Sequence, residues 1–453
     1  MPFDLSPTAV ATLAGFFATV LGLFAAGHAL LNKRRPQSAF GWIAICLTLP
    51  GLGALIYFLF GINRVRTRAR LLRRSAAEAL HEPIGELPLE DGNSVRALHN
   101  GEQAYPAMLD AIMQAERRVY LSSYLFDTSD IGRAFVTALA DAHERGAEVR
   151  VLLDGIGELY SFPHASSLLR RLDVPFGRFL PPRLMPPALR MNLRNHRKIL
   201  VADDVAFAGG MNVAKRHLVE DTENAHPVVD LHFQLEGPVV EQLATVFVRD
   251  WAYATDGSLS APPAPAAVSR GAAQCRVVAD GPDDDADPLT SLLLRTVGSA
   301  RRRIAIMTPY FIPPRTLMGA LQAAALRGVD VAVVLPAKNN LPYVHWATRK
   351  LLWELLMRGV RVYYQPPPFV HSKLLLTDDC CAVVGSWNID PRSLRLNFEL
   401  AIEIREEALC SELGAHFERV RSRAKEVSLG EMDSRRLPER LRDGVAWLFS
   451  PYL

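Results

Sequence analysis

RNHRKILVADD (residues 194–204) and VHSKLLLTDDC (370–380) carry the same pattern, in which one residue separates His from Lys and four residues separate the Lys from an Asp. On a strand, residues i and i+2 share a face, so we expect each His and Lys to project together. The apolar residues after each Lys continue the strand, and the Asp-Asp pairs at 203–204 and 378–379 mark a turn. Both motifs therefore predict a β-hairpin, which returns to the Gly-rich segments GGMN (209–212) and GSWN (385–388). One residue fewer separates the first Asp from its glycine, which predicts a tighter turn in the first copy.

The segments upstream of the two motifs also repeat. An apolar strand at 118–126, an amphipathic helix at 131–145 and a strand at 148–155 recur as 303–311, 315–327 and 330–336. A glycine follows each helix, as a left-handed cap requires. Buried strands that alternate with helices predict a mainly parallel sheet in each half.

This repetition predicts a duplicated α/β fold. We place the first domain at 104–256 and the second, with C-terminal helices, at 274–453. The Ala- and Pro-rich segment 257–273 reads as the linker between them, and 75–103 as a polar lead-in. The 453 residues suffice for two to three domains of ordinary size.

The paired motifs suit chemistry on a phosphodiester. One neutral imidazole, from His196 or His371, can attack phosphorus, while the other, protonated, serves the leaving alkoxide. The charge that develops on the phosphate oxygens then needs donors nearby. We predict these donors to be Lys198, Lys373, Asn212, Ser386 and Asn388. Asp203 and Asp378 complete the two motifs, but they fall at the far end of the strand, where we expect them to support the hairpin. This set needs no metal and no cofactor.

Two uncharged runs open the chain, at 8–31 and 37–62. Each is long enough to cross a membrane, so we predict an anchor of two transmembrane helices within residues 1–74. A cleaved signal peptide is the alternative for the first run, but its flank MPFDLS carries an acid and no basic residue. For the second run, Pro50-Gly51 leaves open a re-entrant hairpin instead of a full span.

The positions of the basic residues indicate on which side of the membrane the large domain lies. Six arginines follow the second run between residues 64 and 74, against three basic residues at 33–35. The heavier flank favours the cytoplasm for the large domain, although the basic residues of the short loop oppose this. The five cysteines, odd in number and without disulfide or zinc spacing, fit a reducing compartment. We therefore expect a multi-pass protein of the inner membrane. The net charge of +3 is too small to indicate a nucleic-acid partner.

The sequence resembles the phospholipase D superfamily, and within it the bacterial cardiolipin synthases, over essentially its whole length. The segments that carry the resemblance are PGLGA (50–54), RNHRKILVADD (194–204), LHFQLEGPVV (231–240), TPYFIPP (308–314) and HSKLLLTDDCCAVVGSWNIDPRSLRLNFE (371–399). Relatives usually carry Trp before the acid of the Asp-x-His segment, whereas this chain has Val229. We expect this difference to affect packing more than chemistry. The resemblance implies one pseudo-twofold active site formed by both domains, with His196 as the nucleophile. It also implies that Asp230 and Glu399 orient the imidazoles, without saying which acid serves which.

The function implied by the resemblance is transfer of a phosphatidyl group between two phosphatidylglycerol molecules through a phosphohistidine, with release of glycerol. A phospholipase D-type hydrolase, or a transferase using another phospholipid or alcohol, is the nearest alternative. A nuclease would show a basic track interleaved with aromatic residues, and a nucleotide-dependent synthase would show a phosphate-binding loop; this sequence has neither. A non-catalytic membrane scaffold would not need both His-Lys pairs. We expect phospholipid and membrane as the partners, and no nucleic acid.

Overall fold

The structure, a computed structural model, describes residues 6–33, 36–61, 85–182, 193–255, 259, 268–281 and 287–450. The chain divides into two compact units, residues 1–70 and 71–453. The basic flank at 64–74 and residues 257, 258 and 260–267 of the predicted linker 257–273 lie outside the described residues.

The N-terminal unit contains one long apolar helix, α1 (Pro7–Asn32), begun by a Ser6 side chain that accepts from the Ala9 N–H. Its 26 residues span about 39 Å at 1.5 Å per residue, so α1 is long enough to cross a membrane. The second apolar run is not one helix. It forms α2 (Pro36–Thr48) and the short α3 (Leu52–Ile56), which continues as a π-helical turn, Tyr57–Gly61.

The prediction of two transmembrane helices is therefore wrong for the second run, which folds as a helical hairpin. Its turn lies at Pro50-Gly51, where Gly51 adopts φ +80°. Gly51 lies against Ala18 of α1, whereas Tyr57 donates or accepts a 2.8 Å hydrogen bond with His28, and Lys33 binds the Gly61 carbonyl. Residues 51 to 61 thus run back along α1 toward the end where α2 began. Proline lacks the N–H that helix continuation needs, and glycine tolerates the positive φ, so this pair makes the reversal possible.

The larger unit is built on one long mixed sheet with helices on both faces. Its helices are α4 (Asn100–Gln114), α5 (Asp130–Glu144), α6 (Ala165–Arg171), α7 (Val239–Thr255), α8 (Pro288–Ser299), α9 (Arg315–Leu326), α10 (Pro342–Leu356), α11 (Glu407–Arg421), α12 (Leu429–Asp433) and α13 (Leu437–Leu448). Its strands are β1 (Glu90–His99), β2 (Arg118–Ser123), β3 (Glu148–Asp154), β4 (Phe176–Phe179), β5 (Ile199–Ala202), β6 (Val205–Gly209), β7 (Val228–Val229), β8 (Leu231–Glu236), β9 (Ala273–Asp280), β10 (Arg303–Met307), β11 (Asp330–Pro336), β12 (Arg361–Gln365), β13 (Phe369–Val370), β14 (Leu374–Thr377), β15 (Cys381–Gly385), β16 (Glu399–Arg405) and β17 (Lys425–Glu426).

The strand order repeats the duplication seen in the sequence. It runs β17-β12-β11-β10-β14-β15-β16-β9-β1-β8-β6-β5-β2-β3-β4, so the second half reads outward from β9 as the first half reads outward from β1. The two halves join where β1 and β9 pair antiparallel. Within the described part of this sheet, only β2-β3-β4 and β10-β11-β12 run parallel, and the other neighbouring strands are antiparallel. The separate pair β7-β13 is also parallel. The prediction of a mainly parallel sheet is therefore wrong.

The elements predicted upstream of the motifs are confirmed, with ends that differ from the prediction by at most four residues. Gly146 and Gly328 follow their helices with φ of +97° and +89°, as the left-handed cap requires. The hairpin turns also differ as predicted, since Ala202 pairs with Val205 whereas Thr377 pairs with Cys381. Each half then buries its own apolar core between its strands and helices, which fixes the ends of the strands that carry the motifs.

Candidate active site

The two His-x-Lys segments lie just before strands β5 and β14 rather than within them, which corrects the expectation that they stand on the strand itself. Each segment is held by backbone bonds to the other half of the unit. The His196 N–H donates to the Phe398 carbonyl at 3.0 Å, and the His371 N–H donates to the Val229 carbonyl at 2.8 Å. Each of these bonds places a histidine beside an acid, because Glu399 follows Phe398 and Asp230 follows Val229 in the sequence.

His196 is paired with Glu399 across 203 positions of sequence. Its Nδ1 lies 3.1 Å from the Glu399 carboxylate, and the imidazole ring packs edge-on to Tyr124 at 5.2 Å between centroids. The histidine side chain is 12% exposed and the glutamate is fully buried. A carboxylate on Nδ1 holds the proton there and leaves the lone pair of Nε2 free for reaction.

His371 has the matching arrangement with Asp230. Its Nδ1 lies 2.8 Å from Asp230 Oδ2, and the Lys373 ammonium lies 2.8 Å from the same nitrogen. Gly210 makes this arrangement possible, because a β-carbon there would stand 2.3 Å from Asp230 Oδ1. Each acid thus serves the histidine of the other half.

The two carboxylates have different surroundings. Glu399 also accepts hydrogen bonds from Ser386 Oγ at 2.5 Å, Ser393 Oγ at 2.7 Å and Asn397 Nδ2 at 3.1 Å. Burial alone would raise the pKa of Glu399, but the neighbouring His196 and Lys198 and these donors hold that pKa below its ordinary value. An anionic glutamate therefore faces His196 across the neutral pH range.

In the first half, Gly210 and His217 occupy the sequence positions that Ser386 and Ser393 occupy in the second half. His217 follows Asn212 by five residues, as Ser393 follows Asn388. Its Nε2 accepts from the Asn212 N–H at 3.4 Å, and its ring lies 6.4 Å from that of His371. Burial lowers the pKa of His217 to about 3, so this imidazole is neutral.

Burial lowers the pKa of both motif histidines, and the lowering is greater for His371, where Lys373 and Lys198 act in the same direction. Lys373 also lowers the pKa of His196, so each motif acts on the histidine of the other. Burial likewise lowers the pKa of Lys198 to about 7 and that of Lys373 to about 8. Such lysines respond strongly to an anion, because a phosphate placed between them would restore their charge.

The predicted asparagines frame the same region. Asn212 is buried and its Oδ1 accepts from the Leu125 N–H at 3.0 Å, which leaves its Nδ2 as a donor. The N–H of Asn388 donates to Ser393 Oγ at 2.7 Å, and its side chain is also buried. Ser386 is turned to Glu399 and also accepts from the Leu400 N–H at 3.0 Å, so its contacts are those of a residue that positions the glutamate.

Asp203 and Asp378 lie at the opposite end of β5 and β14 from the histidines. Asp203 accepts from the N–H groups of residues 116, 117 and 118 at 2.8, 3.0 and 2.9 Å. Asp378 does the same for residues 301, 302 and 303 at 2.8, 2.7 and 2.9 Å. Each aspartate ties the hairpin turn to the start of the neighbouring strand, so the structure does not bring these two residues to the histidines.

Three residues of this region carried no distinguishing signal in the sequence. Tyr124 contacts His196 by its ring, and Lys198 lies 5.6 Å from the same ring. His217 ends a three-residue 3-10 helix, Lys215–His217, and Ser393 lies in a turn, and both segments are too short for a periodicity that marks a buried face. Alignment of the two halves on their asparagines would have found the last two, because both lie at the same distance from that residue. Within the described residues, no group of three or more His, Cys, Asp or Glu side chains could hold a metal ion.

Comparison with known proteins identifies the family. A family profile described as "Cardiolipin synthase, PLD-like domain" matches residues 108–251 and 293–421. The chain belongs to this family. A second profile, "Phospholipase_D-nuclease N-terminal", matches residues 20–61.

Two curated relatives extend over nearly the whole chain. Cardiolipin synthase A of Pseudomonas aeruginosa is 32% identical over 96% of this chain and 94% of its own length. Cardiolipin synthase of Geobacillus thermodenitrificans is 30% identical over 97% and 94%. Among solved structures, phosphatidylserine synthase of Haemophilus influenzae aligns with a TM-score of 0.64, covering 84% of this chain and all of that one, at 14% identity. That likeness concerns the fold alone.

Proposed function

We propose that this protein is a cardiolipin synthase, which transfers a phosphatidyl group from one phosphatidylglycerol to another and releases glycerol. The observation that carries the proposal is the crossed pairing, His196 with Glu399 and His371 with Asp230, in a chain about 30% identical to cardiolipin synthases over nearly its full length. We propose that both motifs form a single pseudo-twofold active site. The effect of Lys373 on His196, and of Lys198 on His371, supports this reading.

The first half-reaction forms a phosphohistidine. With Nδ1–H donating to Glu399, the Nε2 lone pair of His196 attacks phosphorus of the first phosphatidylglycerol. The bond from phosphorus to the glycerol oxygen breaks, and the alkoxide takes a proton from Nε2 of His371. Lys198, Lys373 and the two asparagines hold the non-bridging oxygens as charge builds on them.

His371 must be protonated for this step, yet burial and the lysines hold its pKa low in the free site. An anionic phosphodiester between the lysines would offset their effect, and Asp230 on Nδ1 would stabilise the imidazolium. Substrate binding therefore supplies the charge that makes His371 an acid. In the second half-reaction the free hydroxyl of another phosphatidylglycerol gives its proton to His371 and attacks phosphorus, which breaks the bond to His196.

The two half-reactions break one phosphodiester and form another, so the overall reaction needs no nucleotide as an energy source. Incubation of the purified protein in phosphatidylglycerol vesicles, followed by lipid mass analysis, tests the proposal. We expect cardiolipin and free glycerol in equal amounts. Phosphatidic acid as the main product would make the protein a hydrolase, and strict dependence on CDP-diacylglycerol would refute the proposed reaction.

We further infer that residues 1–74 anchor the enzyme in the inner membrane by one span, α1, and a re-entrant hairpin. Two contacts support this arrangement. Gly51, at the turn of the hairpin, lies against Ala18 in the middle of α1, and Gly61, at the end of the hairpin, binds Lys33 just after α1. The hairpin therefore begins and ends beside the same end of α1. The basic residues at 33–35 and 64–74 then face the same side, which removes the conflict that two spans created. The catalytic part would lie in the cytoplasm and the N-terminus outside. Thiol labelling of a cysteine placed at Ser6 in intact cells tests this: no labelling from outside would contradict it.

A further inference from the structure

The loop that follows β3 displays three large apolar side chains to solvent beside the candidate active site. Leu159 is 57% exposed, Tyr160 69% and Phe162 91%. Scattered apolar residues on a surface need no explanation, but three within four residues form a patch of a kind that marks contact with an apolar partner. We call residues 157–162 the apolar loop.

The apolar loop is fixed to the site by buried polar contacts. Asp154 Oδ1 accepts from the N–H groups of Ile156 and Gly157 at 2.9 Å each, while its Oδ2 accepts from the N–H of Asn195 at 3.0 Å. Asn195 is the residue before His196, so a single carboxylate joins the loop to the nucleophile's own segment. These bonds fix the position of the apolar loop relative to His196.

A second set of contacts holds the other side of the loop. Glu158 is buried and accepts from the N–H of Ser166 at 3.1 Å and from Arg178 Nη2 at 3.4 Å. Gly157 packs so closely on Tyr124 that a β-carbon there would stand 1.7 Å from its carbonyl oxygen. Tyr124 in turn contacts His196. With its backbone held on both sides, the loop cannot turn its apolar side chains inward without breaking these bonds.

We propose that the apolar loop inserts into the lipid surface from which the substrate is drawn, and so sets the depth of the active site at the bilayer. This rests on the proposed function, because it takes the substrate to be a phospholipid. A tyrosine between two fully apolar residues suits the boundary of headgroups and acyl chains, where an aromatic ring is buried and its hydroxyl stays wet. A diacyl lipid need then rise only partly from the bilayer to bring its phosphate to His196.

The experiment measures contact with lipid without relying on turnover. Phe162→Trp in the full chain, reconstituted in phosphatidylglycerol vesicles, should be quenched by lipids brominated on their acyl chains, beyond the wild-type signal. The matched control is Leu326→Trp, since Leu326 is 68% exposed and lies just before the N-terminal end of β11, whereas the apolar loop follows the C-terminal end of β3. No extra quenching at residue 162, or equal quenching at both positions, would overturn the proposal.

A second variant reads the consequence for activity. Replacing Leu159, Tyr160 and Phe162 together by Ser should lower the rate on vesicles by roughly tenfold or more, since one buried aromatic side chain at an interface is worth about that factor. Leu326→Ser should match the wild type.

If the triple variant is as active as the wild type on vesicles, the loop does not position the site. If it changes oligomeric state in detergent instead, a second copy of the chain is the partner and the lipid proposal is wrong. Quenching at residue 162 in a protein that makes no cardiolipin would uphold the loop and refute only the proposed function.

Discussion

Glu399→Gln is the change that most directly probes the crossed pairing of acids and histidines. The carboxylate accepts from His196 and from three further donors, Ser386, Ser393 and Asn397, and it is fully buried. A glutamine of the same shape offers one acceptor oxygen and an NH2 group, so some of these donors lose their partner. If the NH2 faces His196, the imidazole must accept at Nδ1 and carry its proton on Nε2, which removes the attacking lone pair.

The expected loss can be sized from this tautomer change. Converting the acid of a serine-protease triad to its amide lowers kcat about 10⁴-fold, and weakening a supporting carboxylate at a metal site costs about 10–100-fold. We expect a fall in kcat of roughly 10³-fold for Glu399→Gln, or about 4 kcal/mol in the barrier. The free energy of unfolding should fall by about 1–3 kcal/mol, because a buried donor is left unpaired.

Glu403→Gln is the matched control. Glu403 lies four residues further along β16, is equally buried, and binds Arg276 and Arg405 without contact to a histidine. Cardiolipin formation and thermal unfolding should be measured for both variants. We expect both to lose stability and only Glu399→Gln to lose kcat. Retention of kcat within tenfold by Glu399→Gln, or equal losses in both variants, would refute the role given to Glu399.

Two further predictions concern the lysines and the hairpin aspartates. With burial lowering the pKa of Lys198 to about 7, kcat/KM should fall as pH rises from 7 to 9, because the charged lysine binds the phosphate. Lys198→Arg should move that fall to higher pH, and a flat wild-type profile would contradict it. Asp378→Asn should lower the free energy of unfolding by about 1–3 kcal/mol with kcat retained. The pKa of Asp378 is lowered although burial opposes this, because three backbone N–H groups bind its charged form. Its contribution to stability should therefore be full above the ordinary carboxyl pKa and be lost on acidification below it, as thermal unfolding across pH can measure; a large loss of kcat would contradict the structural role.

Much of the candidate site follows from the sequence because its parts lie in two short repeated motifs. The His-Lys pairs, the asparagines and the supporting role of Asp203 and Asp378 could be stated from the repeated spacing, although the pairs lie just before the strands and not on them. The crossed pairing could not, since Asp230 and Glu399 lie 141 and 203 positions from their histidines. Ser393 and His217 were not predicted, because a turn and a three-residue 3-10 helix are too short to show a period that marks a buried face.

Two errors in the prediction of the fold have identifiable physical causes. Strand β5 pairs antiparallel with both of its neighbours, yet all four of its residues are buried, with Leu200 and Ala202 in the core of the first half. Antiparallel strands covered by helices on both faces produce the same continuous apolar runs as parallel ones, so the sequence pattern could not separate them. In the N-terminal unit, hydropathy measures apolar length alone, and a hairpin reversing at Pro50-Gly51 is as apolar as a full span.

The central claim is that two motifs form one site which holds a phosphatidyl group on a single histidine. Acid quenching of the wild-type protein during turnover of radiolabelled phosphatidylglycerol, followed by peptide mapping, measures this directly. We predict at most one label per chain, carried by His196 and absent from His196→Ala. Label on His371 alone would exchange the roles of the two histidines within the same site. A label on each histidine of one chain, or turnover to cardiolipin with no covalent adduct trapped on either, would contradict the claim.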